Sequence, residues 1–378
     1  MQSELIYLDY NASTPVLPEV LETMLPYFSD RFANPASHSH ESGRMVAEAV
    51  EIAREQVASL LGASAQEIIF TSGATESLNL AIQGLWRVFK QHRRKFLVLC
   101  TEHHAVLDVL KYLESEGAQV ELIPVDQEGR IDIEHYQSML GNDVLAVCAM
   151  AANNETGRIH PVAELSALAH EFGAYFICDA TQAMGKMPFT IESSGADLVA
   201  VSAHKFYGRK GIGALFIRRR NPRVKIFPLL FGGGHEKGLR PGTPASALIV
   251  GLGKAAILAE ESLAERIKAM LQNRELAESI LQHAAGVKLN VNGSDRLPNT
   301  TNFRIEGKKA SEVFSSLPML ACSSGSACTS ALPEPSHVLL AMGLTPEQAY
   351  SSIRISTGIN TRADEIEKAI NLILGKIR

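Results

Sequence analysis

Short apolar runs alternate with amphipathic segments along the first two thirds of the chain. The runs lie at 67–72, 96–100, 119–125, 144–150, 175–180, 197–203 and 213–219. Between them, apolar residues recur at helical spacing, as in 46–60 and 78–89. Runs this continuous are typical of strands covered on both faces of a sheet. The pattern predicts a doubly wound α/β fold with a mainly parallel sheet of seven strands.

The pattern changes after about residue 245. A long helical segment is predicted from Ser246 to about His283. Two short strand candidates follow, with the sequences KLNVNG and TTNFRI, and then a loop at 321–336. This mixture of elements is typical of a second, smaller α+β domain.

The last segment of the chain completes this smaller domain. A helix is predicted to begin at Thr361, with Asp364 at the spacing of a capping box. We therefore expect a large α/β domain over 15–258 and a small α+β domain formed by 1–14 and 259–378.

Composition and charge are those of a globular protein and do not favour a membrane, nucleic-acid-binding or secreted protein. Of 378 residues, 46% are hydrophobic and 20% are charged, which are ordinary values for a globular protein, and the net charge is -5. This charge gives no reason to expect a direct nucleic-acid or membrane partner. No stretch is apolar enough for a membrane span, and the opening sequence MQSELIYLDY lacks the features of a secretory signal. We expect a cytoplasmic protein.

The five cysteines do not form a disulfide framework in so long a chain. Cys100, Cys148 and Cys178 each lie in or at the end of an apolar run, which indicates buried strand thiols. Cys322 and Cys328 differ, because they lie in the predicted loop.

Lys205 follows directly on the apolar run 197–203 and precedes a glycine-rich turn. In open α/β sheets, ligands bind at the carboxyl ends of strands. A lysine held there and partly desolvated can form a Schiff base. The alternative is a surface lysine that is only solvated.

Asp179 ends the run 175–180, and Gln182 follows it. A carboxylate at a strand end can keep a pyridinium nitrogen protonated, which makes the ring an electron sink. The alternative is an aspartate that caps the next segment. Asp179 together with Lys205 is more specific than either residue alone.

Two further strand ends carry candidate ligands. In FTSGATES, Gly73 leads into a helix whose first N–H groups could bind a phosphate, although Thr75 could also be a plain helix cap. In TEHHAVLD, His103 could stack on a flat cofactor and move protons. The alternative is a histidine with a structural role.

The loop CSSGSACTSALPEPS, at 322–336, surrounds Cys328 with small and polar residues. Such a composition is typical of an exposed, mobile loop. An exposed and ionised thiol would be a nucleophile, whereas an unreactive surface thiol is the alternative.

These segments together resemble a known family. YLDYNASTP, FTSGATES, TEHHAVLD, ANNETG, DATQAMGK, SAHKFYGRKGIGAL, GGGHEKGLRPGT, SSGSACTS, EPSHVL and SSIRIS follow one another in this order. They are similar to the cysteine desulfurases of the NifS/IscS type, within the class V aminotransferase group of fold-type I pyridoxal 5'-phosphate (PLP) enzymes. The SSGSACTS segment resembles the subgroup with a long, mobile cysteine loop.

The resemblance implies a role for each matching position. Lys205 would hold PLP, Asp179 would pair with the pyridine nitrogen, Gln182 would contact the ring hydroxyl and His103 would stack on the ring. The other implied positions are Ala74, Thr75, Ser202, His204 and the partner subunit's Thr243 for the phosphate, and Asn154 and Arg354 for the substrate carboxylate. Arg354 suits that task because its planar fork can hold a carboxylate bidentately. No metal site is expected.

The resemblance also implies the reaction. Lys205 would take the α-proton of L-cysteine, with His103 as the acid–base partner. Cys328 would attack the substrate sulfur and become a persulfide, with L-alanine released. The sulfur would pass to an acceptor protein for iron–sulfur cluster assembly or for tRNA or DNA thiolation.

Alternatives and assembly complete the expectations. A selenocysteine lyase or a class V aminotransferase would share Lys205 and Asp179, but a transaminase needs no mobile thiol. A non-catalytic scaffold would have a damaged site, and every expected position is filled. A homodimer is expected, because the resemblance brings Thr243 into the neighbouring subunit's site.

Overall fold

A computed structural model describes residues 5–324 and 334–376 of the chain. Its strands are β1 (Ile6–Tyr7), β2 (Ile68–Thr71), β3 (Lys95–Leu99), β4 (Gln119–Ile123), β5 (Val144–Cys148), β6 (Tyr175–Asp179), β7 (Leu198–Ser202), β8 (Gly213–Ile217), β9 (Val287–Leu289), β10 (Thr300–Ile305), β11 (Leu320–Ala321) and β12 (Ser352–Ser356). Its helices are α1 (Pro18–Met24), α2 (Pro26–Ser29), α3 (Glu41–Leu61), α4 (Ala74–Phe89), α5 (His104–Ser115), α6 (Ile133–Met139), α7 (Val162–Glu171), α8 (Ile191–Ser194), α9 (Ser246–Glu261), α10 (Leu263–Leu281), α11 (Ala310–Ser315), α12 (His337–Ala341), α13 (Pro346–Tyr350) and α14 (Ala363–Leu374).

A seven-stranded sheet forms the centre of the molecule, in the order β2–β8–β7–β6–β5–β3–β4. The pairs from β7 through β6, β5 and β3 to β4 are all parallel. Strand β8 runs antiparallel to both of its neighbours, β7 and β2. Each of the seven apolar runs contains one strand of this sheet, so the predicted α/β fold with a mainly parallel sheet is confirmed.

Helices cover both faces of this sheet, as the continuous apolar runs predict. In β7, Val199 and Val201 pack on one face in a core that α3, α7 and α9 complete. The alternate residues Leu198 and Ala200 pack on the other face against α4 and α5. Both faces of inner strands such as β5 and β7 are therefore dry, and the edge at the carboxyl ends of the strands is left for polar chemistry.

A second core lies apart from the central sheet. Strands β9, β10 and β12 form an antiparallel sheet, and β1 pairs with β11 in a parallel ribbon. Leu8, near the start of the chain, is buried here with Phe303 and Ile366. The N-terminal segment therefore packs with the last third of the chain. The boundary of the two predicted domains at residue 258 stays a prediction.

Two local predictions are wrong. The helical segment 246–283 is not continuous, because α9 and α10 are separated at Ser262. The hydroxyl of Ser262 donates to the carbonyl of Leu258 at 2.5 Å and accepts from Arg266 Nε at 2.7 Å. Serine side chains compete in this way with the helical backbone.

The start of the last helix also differs from the prediction. Helix α14 begins at Ala363, and the Glu365 carboxylate accepts from the Arg362 N–H at 2.8 Å. The Thr361 hydroxyl instead accepts from the Gly358 N–H at 2.9 Å. The capping box is therefore shifted by one residue from the predicted pair. No helix within 5–324 or 334–376 is long and apolar enough to cross a membrane.

Candidate active site

A cavity of about 510 Å³ opens where the strands of the central sheet reach their carboxyl ends. Segments that follow β2, β3, β5, β6 and β7 all contribute to it, as expected for strands that end at one edge of a sheet. Among its lining residues are the predicted positions Ala74, Thr75, His103, Asn154, Asp179, Gln182, Ser202, His204, Lys205 and Arg354. The structure thus brings together residues that are up to 280 positions apart in the sequence.

Lys205 ends a single 3₁₀ turn, Ala203–Lys205, that follows β7 directly. Its amine donates to the backbone carbonyls of Asn11 at 2.6 Å and Ala12 at 3.0 Å. These two carbonyls hold the amine inside the cavity rather than in bulk water. The sequence prediction that this lysine is placed at a strand end, partly desolvated, matches this position.

His204 precedes Lys205 and lines the same cavity. Its Nδ1 lies 3.3 Å from the Ser13 hydroxyl. Burial, followed by the positive charges of Lys205, Lys210 and Lys186, lowers the pKa of His204 to about 4. The ring is therefore neutral near pH 7.

Asp179 is the last residue of β6, and its carboxylate accepts from the Thr181 N–H at 2.8 Å. A second acid, Glu102, lies fully buried beside it. Burial first, and then the charge of Asp179, raise the pKa of Glu102 well above its usual value. This shift favours the protonated form of Glu102, whereas Asp179 is the acid that lines the cavity.

His103 occupies the N-cap of α5, where its Nδ1 accepts from the Ala105 N–H at 3.0 Å. In the neutral ring the hydrogen consequently lies on Nε2. Burial lowers the pKa of His103, the Asp179 carboxylate opposes that effect, and the Lys205 charge adds to it. A neutral imidazole with a defined tautomer suits both stacking and proton transfer.

The N-terminus of α4 forms one end of the cavity. Gly73 precedes it with a φ of +152°, in the region that favours glycine. A Cβ on the facing Gly213 would lie 2.7 Å from the Gly73 Cα, so the two backbones are in close contact. The first N–H groups of a 16-residue helix, with Ser202 and His204 nearby, form a cradle suited to a phosphate.

Arg354, in β12, reaches the cavity from the second core. One of its terminal nitrogens, Nη1, donates to the Asn154 carbonyl at 2.9 Å, and the other, Nη2, donates to Asp9 Oδ1 at 2.5 Å. Its Nε is buried and has no hydrogen-bond partner among the described residues. A fixed guanidinium with a donor still to be satisfied suits an incoming carboxylate.

The segment from Asp9 to Thr14 contributes contacts that the sequence did not predict. Besides the contacts to Arg354 and Lys205, the Asn11 carbonyl accepts from Gln182 Nε2 at 3.0 Å. Thr14 accepts from the Tyr207 N–H at 2.7 Å and donates to the His204 carbonyl at 3.1 Å. Its only signal in the sequence is a polar cluster directly after an apolar segment, within the motif YLDYNASTP.

Thr243 is not among the residues that line this cavity. Thr243 is exposed and lies in a loop whose neighbours line an adjacent pocket. Its role in a second subunit stays a prediction. Cys328 and most of its loop lie outside the described residues.

The other cysteines are poor nucleophiles. Cys148 and Cys178 are buried, as predicted, whereas Cys100 is only partly buried. Burial raises the pKa of all three thiols. Burial, followed by the charge of Asp9, raises the pKa of Cys322 to about 12, although Arg354 opposes this shift.

Comparison with known proteins identifies the family. The family model described as aminotransferase class-V matches residues 6–369. The "Cysteine desulfurase IscS" of Anaeromyxobacter dehalogenans is 46% identical over 99% of this chain and 92% of its own length. The chain belongs to the class V aminotransferase family, among the cysteine desulfurases.

Solved structures agree with this family membership. A NifS-like protein superposes with a TM-score of 0.92 at 34% identity, covering 98% of this chain and 99% of its own. The structure described as SspA in complex with cysteine superposes with a TM-score of 0.83 at 36% identity, covering 93% and 98%. The resemblance and the fold type predicted from the motifs are confirmed.

The residues of this cysteine desulfurase-family cavity fit PLP. An amine, a carboxylate, an imidazole and a helix N-terminus face one space, which matches the aldehyde, pyridine nitrogen, ring face and phosphate of that molecule. The Thr181 hydroxyl, which lines the space and is buried, has no hydrogen-bond partner among the described residues. The donor set contains no cluster of three or more His, Cys, Asp or Glu residues suited to a metal within the described chain.

Proposed function

We propose that this protein is a PLP-dependent cysteine desulfurase, which converts L-cysteine to L-alanine and leaves the sulfur as a persulfide on Cys328. One observation carries the proposal. Lys205, Asp179, His103 and Arg354, which come from four separate segments, face a single cavity. Relatives of full length that bear the name cysteine desulfurase support the same activity.

The cofactor would be held at both of its ends. The Lys205 amine would bind its aldehyde, Asp179 its pyridine nitrogen, and the start of α4 its phosphate. When bound, PLP supplies an electron sink for the electrons of the α-carbon–hydrogen bond.

The substrate would be oriented by its carboxylate. Arg354 is held by Asp9 and by the Asn154 carbonyl, so the direction of its guanidinium is set before any ligand binds. The Arg354 guanidinium and the Asn154 side chain would receive the carboxylate, because both residues line the cavity. This pre-organisation places the amino group of an α-amino acid near Lys205.

Lys205 and His103 would move the protons. The Lys205 amine lies in the cavity and would take the proton from the substrate α-carbon. His103, neutral and with its hydrogen on Nε2, would act as acid and base toward the substrate thiol. Neutral histidines at positions 103 and 204 avoid two additional positive charges beside the amine.

Cys328 would complete the transfer. Its thiolate attacks the substrate sulfur, a sulfur–sulfur bond forms, and the carbon–sulfur bond breaks with its electron pair retained on the carbon side. Protonation of that carbon gives L-alanine. The persulfide would then pass to an acceptor protein, in iron–sulfur cluster assembly or in tRNA or DNA thiolation, from a cytoplasmic homodimer in which the partner's Thr243 completes the phosphate site.

Matched cysteine variants test this proposal. With L-cysteine and a reducing thiol, C328A should release no sulfide above background and form no alanine by desulfuration, while keeping the visible absorbance of bound PLP. C100A removes a thiol that does not line the cavity and should retain full turnover. Sulfide release by C328A at the unchanged rate would exclude the persulfide role.

The substrate range distinguishes the alternative activities. L-cysteine, L-selenocysteine, and L-serine with an oxo acid should be compared at equal concentration, with alanine and amino-acid products measured. Turnover of selenocysteine but not cysteine would indicate a selenocysteine lyase. Amino transfer to the oxo acid, unaffected by C328A, would indicate an aminotransferase.

A further inference from the structure

Lys186 is a buried amine beside the cavity that the proposed reaction does not use. It lies four residues after Gln182, is only 4% exposed, and belongs to the motif DATQAMGK. Its Nζ donates to Gln182 Oε1 at 2.5 Å and lies 3.4 Å from Asn11 Oδ1. A buried lysine almost always has a specific partner or a function, because burial of an ammonium ion is costly.

The contacts of Lys186 fix the orientation of the Gln182 side-chain amide. Lys186 lies at its oxygen, and the Asn11 carbonyl lies 3.0 Å from its nitrogen. A carbonyl can only accept, so the atom facing it must be the nitrogen of the amide. The amine at the other end is then the donor to the oxygen. The remaining N–H of Gln182 is left for a ligand in the cavity, which Gln182 lines.

The Asn11 side chain, whose Oδ1 lies near Lys186, is also held in one orientation. Its Oδ1 accepts from Asn299 Nδ2 at 3.0 Å. Its Nδ2 donates to the Asn154 carbonyl at 3.1 Å and to the Thr300 hydroxyl at 2.8 Å. The side chain and the carbonyl of Asn11 are therefore fixed supports for Lys186 and Gln182.

The charge around Lys186 is positive. The charged and titratable groups that face it are Lys205, Arg354 and His204. Burial first, and then Lys205 and Arg354, lower the pKa of Lys186 well below its usual value. Burial therefore disfavours a positive charge on Lys186, and its amine is held by the contacts to Gln182 and Asn11.

We propose that Lys186 is a positioning residue, which holds the Gln182 amide so that its N–H, and not its carbonyl, faces the ring oxygen of the bound cofactor. This inference rests on the proposed function, because it requires PLP in the cavity. Without the donor at position 186, the amide oxygen of Gln182 loses its partner. The amide is then held only at its nitrogen, by the Asn11 carbonyl, and it can tilt so that its second N–H no longer points at the ring oxygen.

The expected consequence is spectroscopic. A hydrogen bond donated to the ring oxygen withdraws electron density that would otherwise hold a proton on the nitrogen joining Lys205 to the cofactor. Loss of that donor should raise the pH midpoint of the visible absorbance of the loaded protein by about one unit. A residue with only a structural role would lower stability without moving this midpoint.

The experiment is a pH titration of visible absorbance without substrate, on K186M, K186Q, Q182A and the K186M/Q182A double variant. K186M removes the donor at similar length and should raise the midpoint. K186Q keeps an N–H donor and should stay within about a third of a unit of the unchanged protein. If Lys186 acts through Gln182, K186M should cause no further shift in the Q182A background.

The outcomes distinguish a failure of the inference about Lys186 from a failure of the proposed function. An unchanged midpoint in K186M that still binds PLP contradicts the inference, as does an equal shift in the Q182A background. Absence of visible absorbance from the unchanged protein with added PLP contradicts the proposed function instead. If K186M does not fold, K186A is titrated with and without propylamine: a raised midpoint that propylamine lowers supports the inference, and a midpoint equal to that of the unchanged protein overturns it.

Discussion

Arg354 combines three properties at the scale of a single residue. It is buried, two of its nitrogens are held by Asp9 and by the Asn154 carbonyl, and its Nε has no partner among the described residues. A buried cation with a fixed direction contributes to recognition mainly through geometry, because the cost of ordering it is already met by the fold.

The variant R354K tests this geometric role. Lysine keeps the positive charge but loses the planar fork, so the KM for L-cysteine should rise about tenfold or more, and kcat should fall less. Steady-state alanine formation measures both constants. R209K, an exposed arginine-to-lysine change, is the matched control. An unchanged KM in R354K would show that the carboxylate binds elsewhere.

His160 gives a prediction about acid stability. It is buried, neither ring nitrogen has a partner among the described residues, and burial, followed by the charge of Arg158, lowers its pKa from 6.5 to about 3. Below about pH 6.5 the unfolded chain takes up a proton at this residue, whereas the folded chain does not until about pH 3. Stability is therefore lost as the pH falls through this range, by about 1.4 kcal/mol per pH unit for one proton.

The variant H160Q removes this proton. Urea unfolding between pH 7 and pH 4 should show a shallower decrease of the free energy of unfolding with falling pH than in the unchanged protein. H92Q, at an exposed histidine, should leave the slope unchanged. The same slope in H160Q as in the unchanged protein would mean that another group takes up the proton.

At the scale of elements, the contact between the backbones of Gly73 and Gly213 joins the phosphate cradle to the central sheet. A Cβ at position 213 would lie 2.5 Å from the Val201 carbonyl oxygen as well as 2.7 Å from the Gly73 Cα. Both neighbours are backbone atoms, so neither can rotate away. The spacing of β7, β8 and the start of α4 therefore requires glycine at this position.

G213A should consequently destabilise the sheet and weaken the cradle. We expect a loss of about 2–4 kcal/mol in the free energy of unfolding and a weaker affinity for PLP. Thermal unfolding and cofactor titration measure the two effects. G234A is the control, because its Cβ would meet no atom within 4 Å and its φ is negative. Equal melting temperatures for G213A and G234A would contradict the packing argument.

Sequence patterns predicted a strand or helix correctly where hydrophobic spacing alone determines it. Each of the seven predicted apolar runs became a strand, because most of them are covered on both faces of the sheet; the edge strand β4, with the exposed Gln119 and Glu121, is the exception in burial. The helix at 246–283 was predicted as one element because hydrophobic spacing does not detect a serine hydroxyl that bonds its own helix at Ser262. The position of the helix cap, at Arg362 rather than Thr361, likewise depends on one local hydrogen bond, from the Arg362 N–H to the Glu365 carboxylate.

The residues of the candidate site likewise fall into those that the sequence predicts and those that only the structure identifies. Lys205, Asp179 and His103 follow strands directly, and the family motifs gave their positions as well as those of Arg354 and Asn154. Residues whose importance depends on contacts across the fold could not be predicted. In the sequence, Glu102 and Lys186 do not differ from other charged residues. Only the structure shows that Glu102 is buried beside Asp179 and that Lys186 is buried beside Gln182.

At the scale of the whole molecule, the predicted homodimer can be tested by mixing inactive subunits. K205A lacks the amine, and T243E places a negative charge where the partner's phosphate site is expected. In a mixed pair, one site has an intact Lys205 facing an unchanged Thr243. Mixing and reassociation should therefore restore desulfurase activity, measured as alanine formation, to about a quarter of the unchanged level, given random pairing of closed two-fold dimers.

Two controls make this result decisive. Each variant alone should stay inactive after the same unfolding and reassociation treatment. Size measurement and mass analysis should show mixed pairs. Mixed pairs without recovered activity would mean that Thr243 does not act across subunits.

The contacts of the segment Asp9–Thr14 determine when, during synthesis and folding, the pocket around Lys205 is complete. Asn11 meets Lys205 across 194 positions, and Asp9 meets Arg354 across 345. Contacts of such sequence separation close late and slowly. A growing chain on the ribosome therefore carries its reactive lysine for a long time before the pocket around it exists. The pocket around Lys205 is therefore complete only after the segment that contains Arg354 has been synthesised and has folded.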